Sequence, residues 1–242
     1  MTEAASPAQV IAARRSALPP ILFLGAAVAA VLVALPFSST ATAPAGLLAY
    51  GAVAAVVFDR LPLHHPHPRF GLGNVITLLR AAGTAVLAGL ALEPGVVAGS
   101  RGWWALGGVA VLLSLDGVDG WAARRKGHAS AFGARFDMEV DALLLLALSA
   151  LALGLAKAGV WILAIGLMRY AFVLAGQVWP PLARPLLPSR RRDAVCVLQV
   201  ATLGLLLAPP VTHPLSTALA AAALAALAAS FATDVAWLLR RA

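Results

Sequence analysis

The segment DGVDGWAARRKGHASAFGARFDMEVD, residues 116–141, sets Asp116, Asp119, Asp137 and Asp141 into an otherwise apolar chain. Half of the ten acidic residues of the protein lie within it. An ionisable group at bilayer depth costs about 2.5 to 3.5 kcal/mol on insertion scales, so four would cost about 10 kcal/mol unless paired, hydrated or bound to cations. The spacing suggests how that cost is met. Asp116 and Asp119 stand three apart and Asp137 and Asp141 four apart, so each pair shares one face of a helix. Two such faces can converge, and four carboxylates then offer hard oxygen ligands suited to Mg2+ or Mn2+, enough for two ions. A two-ion site suits phosphoryl transfer, where cations neutralise phosphate oxygens and stabilise the leaving group. Gly120 and Gly133, lacking Cβ, leave room for a base or a phosphate against the backbone, and Arg124 places a cation beside the carboxylates.

The rest of the chain supplies the setting. It has 242 residues, 61% hydrophobic and 12% charged, with a mean hydropathy of +0.89, against roughly 25% charged in a soluble domain. This composition predicts an all-α, polytopic transmembrane bundle. Apolar spans fall near residues 21–37, 43–58, 74–92, 103–121, 138–156, 159–177, 194–209 and 215–238. Eight spans put both termini on one side. The basic residues agree, since Arg14, Arg15, Arg60, Arg69, Arg124, Arg125, Lys126, Arg135, Arg184, Arg190, Arg191, Arg192, Arg240 and Arg241 all fall on that side, with Arg101 and Lys157 in opposite loops. Loops rich in Lys and Arg stay cytoplasmic, so the expectation is a multi-pass protein of the cell membrane with its acidic motif facing the cytoplasm.

The net charge of +8 is thus partly a topology signal. It also predicts attraction to anionic membrane lipids and phosphorylated substrates, at about 1 kcal/mol per basic residue near the surface, rather than a nucleic-acid partner. The single cysteine, Cys196, excludes an intrachain disulfide, a thiolate metal cluster and a cysteine redox pair. Between the second and third spans, RLPLHHPHPRFGLGN (residues 60–74) reads as a cytoplasmic connector, its prolines breaking helix and Asn74 capping the next one. His64, His65 and His67 read as interfacial loop residues, because Pro66 and the missing fourth ligand make a poor metal site.

Asp116-x2-Asp119-Gly120-x2-Ala123-Arg124-x8-Gly133-x3-Asp137-x3-Asp141 resembles the signature of the CDP-alcohol phosphatidyltransferases at every fixed position and spacing. Upstream, GNVITLLR with Asn74, Thr77 and Arg80 resembles the family's first-helix pattern Pro-Asn-x2-Thr-x2-Arg, with Gly73 in place of the proline. The resemblance implies a six-helix catalytic domain over residues 74–242, preceded by a tail and two additional spans over 1–60 and the connector over 61–73. It implies that Asp116, Asp119, Asp137 and Asp141 hold two divalent ions, Mg2+ or Mn2+, with Asp141 as catalytic base. Gly120, Ala123, Arg124 and Gly133, with Asn74 and Thr77, would cradle the CDP moiety. The reaction it implies is attack of an alcohol acceptor on the lipid-side phosphorus of a donor of the CDP-diacylglycerol type, releasing CMP, in an enzyme of phospholipid synthesis that can form a homodimer.

Cationic residues are the place to look for the acceptor, because several acceptors of the family carry a phosphate. Arg169, inside the apolar MRYAFVLAG, is one candidate, and Arg190, Arg191 and Arg192 of SRRRDAV could complete its pocket. A phosphorylated acceptor would give a phosphatidylglycerophosphate-type product. Asp234, late in the last span, reads as a structural partner of Arg240 or Arg241, and Glu139 as an ordinary polar-face residue. The alternative from another class is an intramembrane cation transporter or channel. The glycine and arginine positions of the motif have no use in conduction, and the chain carries no visible inverted repeat.

Overall fold

The computed structural model describes residues 7–64, 69–125 and 130–240, and the side chains of residues 7–8, 62–64 and 118–125 lie outside that description. Eight α-helices follow one another: α1 (Pro7–Ala34), α2 (Thr42–His64), α3 (Leu72–Leu92), α4 (Gly102–Arg125), α5 (Ala131–Gly154), α6 (Leu163–Val178), α7 (Arg190–Leu206) and α8 (Leu215–Leu239). Single 3-10 turns join several of them, and there is no strand among the described residues. An all-helical solution is what hydrocarbon demands, because backbone groups must be satisfied within the segment.

The helices α1, α2, α3 and α8, and the segment Val160–Val178 that contains α6, are long and apolar enough to cross a membrane. The chain is a multi-pass membrane protein. The α7 helix has 17 residues, and α5 carries Arg135, Asp137, Glu139 and Asp141 in its first three turns.

Packing is organised around α3 and α5, which touch each other and most of the remaining helices. One core joins α3, α4, α5, α7 and α8 through residues such as Leu87, Leu112, Leu148, Leu151, Leu203 and Leu227. A second joins α1 and α2 to α3 and α5 through Val28, Leu32, Val57, Leu61, Leu78, Ala81, Phe132 and Phe136. Close approach of backbones, the usual source of helix association in lipid, is visible at Gly166, where a Cβ would stand 2.4 Å from the Leu146 Cα.

The end of the bundle away from the acidic cluster is tied by polar contacts between connections. Lys157 Nζ donates to the carbonyls of Ala208 (3.1 Å) and Val211 (2.7 Å), and burial holds its pKa below the usual lysine value. His213 Nε2 lies 2.8 Å from the Ala156 carbonyl oxygen. The Glu93 carboxylate, just past α3, accepts from the Ser38 amide (2.7 Å), the Ser39 amide (3.2 Å), the Thr42 hydroxyl (3.2 Å) and the Ser38 hydroxyl. These donors, Ser38 first, hold the Glu93 carboxyl at a pKa of about 2.

The start of α3 differs from the expectation that Asn74 caps it. The helix begins at Leu72, with Gly71 at the cap position and a φ of 84°. That backbone conformation favours glycine. Asn74 is already inside the first turn, and its Nδ2 donates back to the Phe70 carbonyl.

Candidate active site

Two helices bring the acidic residues together, and a third meets them with an arginine. Asp116 comes from α4, Asp137 and Asp141 from α5, and one carboxylate oxygen of each lies within 4.8 Å of the others. Of the two expected pairs, the described residues show one carboxylate of α4 meeting the Asp137–Asp141 face of α5. At their focus sits Arg80 of α3, its side chain 2% exposed. Arg80 Nη2 lies 2.8 Å from Asp116 Oδ1. The same nitrogen donates to Asp141 Oδ1, and Nη1 donates to Asp137 Oδ1. Asp116 is therefore paired with the guanidinium of α3. The first-helix pattern contains Arg80 without assigning it a role; an arginine at mid-helix in an apolar span is the signal that could have found it.

Local structure fixes these side chains. Ser130 caps α5, its Oγ accepting from the Gly133 amide at 3.0 Å. This sets the register that puts Asp137 and Asp141 one turn apart on the face toward α3. A Cβ on Gly133 would stand 2.9 Å from Asn74 Oδ1, so the missing side chain lets α3 and α5 approach at the acidic end. Thr84 Oγ1 donates to the Arg80 carbonyl at 2.8 Å and Thr77 Oγ1 to the Gly73 carbonyl at 3.2 Å. From α7, the Cys196 thiol donates to Asp141 Oδ2 at 3.6 Å.

With all three carboxylates ionised, the pairs with Arg80 leave a net charge of two minus among the described side chains. Hard oxygens in that number, close together and still net anionic, fit a divalent cation such as Mg2+ or Mn2+. Asp119, Gly120, Ala123 and Arg124 belong to α4, and their side-chain roles lie outside the described residues.

The expected acceptor residues fall into two groups. Arg169 on α6 pairs with Glu139 on α5, so Glu139 is the partner that meets the cost of a guanidinium in an apolar span. Arg191 pairs with Asp234 of α8 at 2.5 Å and Arg192 with the same oxygen at 3.2 Å. Asp234 thus anchors the start of α7 rather than meeting Arg240, as the sequence had suggested. Arg191 Nη1 also donates to the carbonyl and hydroxyl of Ser230, 2.5 Å away in each case. Arg190 stands exposed at the first turn of α7.

No curated protein and no solved structure matches this sequence closely enough to mark a relative. The family description for CDP-alcohol phosphatidyltransferase matches residues 70–235, a stretch that begins at the start of α3 and takes in Arg80 and the whole acidic cluster. The chain is therefore a member of the CDP-alcohol phosphatidyltransferase family, a transferase of substituted phosphate groups.

Proposed function

We propose that the protein moves a phosphatidyl group from a CDP-diacylglycerol-type lipid to an alcohol acceptor, with release of CMP, at the cytoplasmic face of the cell membrane. The observation that carries this reading is the convergence of Asp116, Asp137 and Asp141 from two helices, inside the family motif and around a buried arginine. Asp116, Asp137 and Asp141, with Asp119 from the same motif, would hold two divalent ions. Bound there, the ions supply charge neutralisation and polarisation of the phosphate oxygens.

The chain's own residues do the rest. Asp141 accepts the proton of the acceptor hydroxyl. The hydroxyl oxygen forms its bond to the lipid-side phosphorus as the bond from that phosphorus to the CMP oxygen breaks, and CMP leaves with the electron pair. A carboxylate within hydrogen-bond reach serves this role once the acceptor is seated. Arg80 holds the Oδ1 atoms of the three aspartates, so that the cluster is organised before substrate arrives. Asn74, Thr77, Gly120, Ala123, Arg124 and Gly133 cradle the CDP moiety. The arginines of α6 and α7 favour a phosphorylated acceptor, and hence a phosphatidylglycerophosphate-type product, because Arg190, Arg191 and Arg192 gather at one helix N-terminus, where anions are already favoured. A cation path is the weaker reading, since a guanidinium lies within the carboxylates that would have to conduct.

The test is CMP release by the purified full chain with CDP-diacylglycerol, Mg2+ or Mn2+, and a panel of acceptors: glycerol 3-phosphate, inositol phosphate, serine and phosphatidylglycerol. Release that depends on one acceptor and on the metal, and is abolished in Asp141→Asn, supports the transferase and names its product. No release with any acceptor from folded, metal-loaded protein would remove the CDP-diacylglycerol reading, make a different CDP-alcohol donor the next suspect, and strengthen the transporter alternative.

A further inference from the structure

The first two helices lie outside the stretch that matches the family, yet one of their side chains reaches the matched stretch at its first residue. Ser16, on α1, donates its hydroxyl proton to the Ala13 carbonyl at 2.8 Å and accepts from the Phe70 amide, also at 2.8 Å. Phe70 is 1% exposed. Its amide is thus held by α1 and its carbonyl by Asn74 Nδ2. The next residue, Gly71, turns the chain into α3 with a φ of 84°. The oxygen of the same Asn74 amide lies against Gly133, 2.9 Å from where a Cβ would be, and the Gly133 amide is fixed by the α5 cap Ser130. The Phe70 ring packs on Phe132 of α5 with centroids 6.4 Å apart, and Phe132 stacks on Phe136 at 5.7 Å. Ala13 and Ala17 of α1 are buried in the same cluster.

We propose that Ser16 is a positioning residue for the transfer reaction. Through the Phe70 backbone it fixes the rotamer and height of Asn74 against Gly133, and so shapes the end of the cradle that takes the cytidine diphosphate part of the donor. The proposal rests on the assignment of Asn74 and Gly133 to that cradle. It gives the N-terminal helical pair a catalytic consequence: α1 closes a chain of contacts from Ser16 through Phe70 and Asn74 to Gly133, whose far end carries Asp137 one turn on. A phosphate acceptor bound at α7 does not enter this chain, so the effect falls on the donor alone.

The test uses the full-length protein in detergent or nanodiscs, with Ser16→Ala and Ser16→Thr compared to wild type. Donor and acceptor KM, kcat and backbone hydrogen exchange over residues 69–76 are measured together. Loss of the hydroxyl removes one net hydrogen bond, so Ser16→Ala raises the donor KM by roughly three- to tenfold. Exchange at 69–76 speeds up, the acceptor KM stays within about twofold, and Ser16→Thr restores both readouts. Unchanged donor KM and unchanged exchange in Ser16→Ala overturn the proposal. So does a variant that only loses yield or kcat, with both KM values intact, since that is a fold defect and not a positioning one. If wild type releases no CMP, the transferase reading fails and the donor role of Ser16 fails with it, while exchange at 69–76 still decides whether Ser16 holds the start of α3.

Discussion

Replacing Arg80 by methionine removes the one described cation inside the acidic cluster while keeping most of the side chain's volume. The structure sets the size of the effect. At the 2.8 Å that separates Arg80 from Asp116, a unit charge pair at an effective dielectric of 20 is worth on the order of 6 kcal/mol before desolvation. Desolvation offsets much of that, and removing one partner of a buried pair costs about 3 to 5 kcal/mol net. For a chain of this size each kcal/mol moves the thermal midpoint by about 2 to 4 °C. The metal-free Arg80→Met protein should therefore melt about 6 to 20 °C below wild type. Added cation reverses part of this loss. Three carboxylates without a guanidinium present one more unit of uncompensated negative charge, so Mn2+ or Mg2+ binds the variant more tightly and raises its midpoint by more than it raises that of wild type. Activity falls by about a hundredfold or more even in the metal-loaded variant, because the aspartate oxygens lose the group that orients them. The assay is a thermal melt in detergent across a metal titration, read beside CMP release. Equal metal-free midpoints, or a cation-induced rise no larger than in wild type, would refute the role given to Arg80.

Other perturbations separate the parts of the site. Gly133→Ala drives a Cβ to 2.9 Å from Asn74 Oδ1, so it should raise the donor KM about tenfold and lower the midpoint by the few degrees that overpacking of about 1 to 3 kcal/mol implies; steady-state kinetics with the donor varied checks it. Cys196→Ala removes only a 3.6 Å thiol contact to Asp141 and should cost less than about threefold in kcat, which measures the sole cysteine as a minor support and not a nucleophile. Glu93→Gln tests the far end by pH. The Glu93 pKa is lowered from 4.5 to about 2 in the fold, so its contribution is fully present above about 4.5 and is lost as pH falls through 2. The gap in midpoint between wild type and Glu93→Gln should therefore be constant at higher pH and close across that window, and a gap independent of pH would count against the Ser38 and Thr42 clamp.

The acidic cluster was legible in the sequence because helical spacing is a local quantity. Positions three and four apart must share a face, and a charged face in an apolar helix must find a partner. What was not legible lay in partners far along the chain. Arg80 meets Asp137 and Asp141 across 57 and 61 residues, and no periodicity links those positions. The same holds for Asp234, which the sequence set against its neighbours Arg240 and Arg241 but which the packing of α7 on α8 gives to Arg191 and Arg192. Arg169 reads from the sequence as a candidate for the acceptor; that Glu139 pairs with it depends on how α6 crosses α5. At the start of α3 a local rule lost to a local alternative. Asn74 is a good capping residue, but Gly71 can adopt a positive φ that others resist, so the helix starts earlier and the asparagine is left to brace two helices. Apolar windows also placed the first span near 21–37, whereas α1 already starts at Pro7. Its early turns hold Arg14, Arg15 and Ser16, polar enough to hide a helix whose Ala13 and Ala17 are buried.

The buried guanidinium has a consequence for how the protein is made. When α3 enters the membrane during synthesis, Arg80 arrives before any of the three aspartates that will receive it. The helix must carry a lone cation, at about 2.5 to 3.5 kcal/mol on insertion scales, on the strength of its other apolar residues. α5 then arrives with aspartates that need a cation as much as Arg80 needs an anion. Asp116 on α4 supplies the first anion and α5 the other two, so Arg80 is fully paired only once both helices pack against α3. The α1–α2 hairpin, already inserted, is the surface on which α3 can wait.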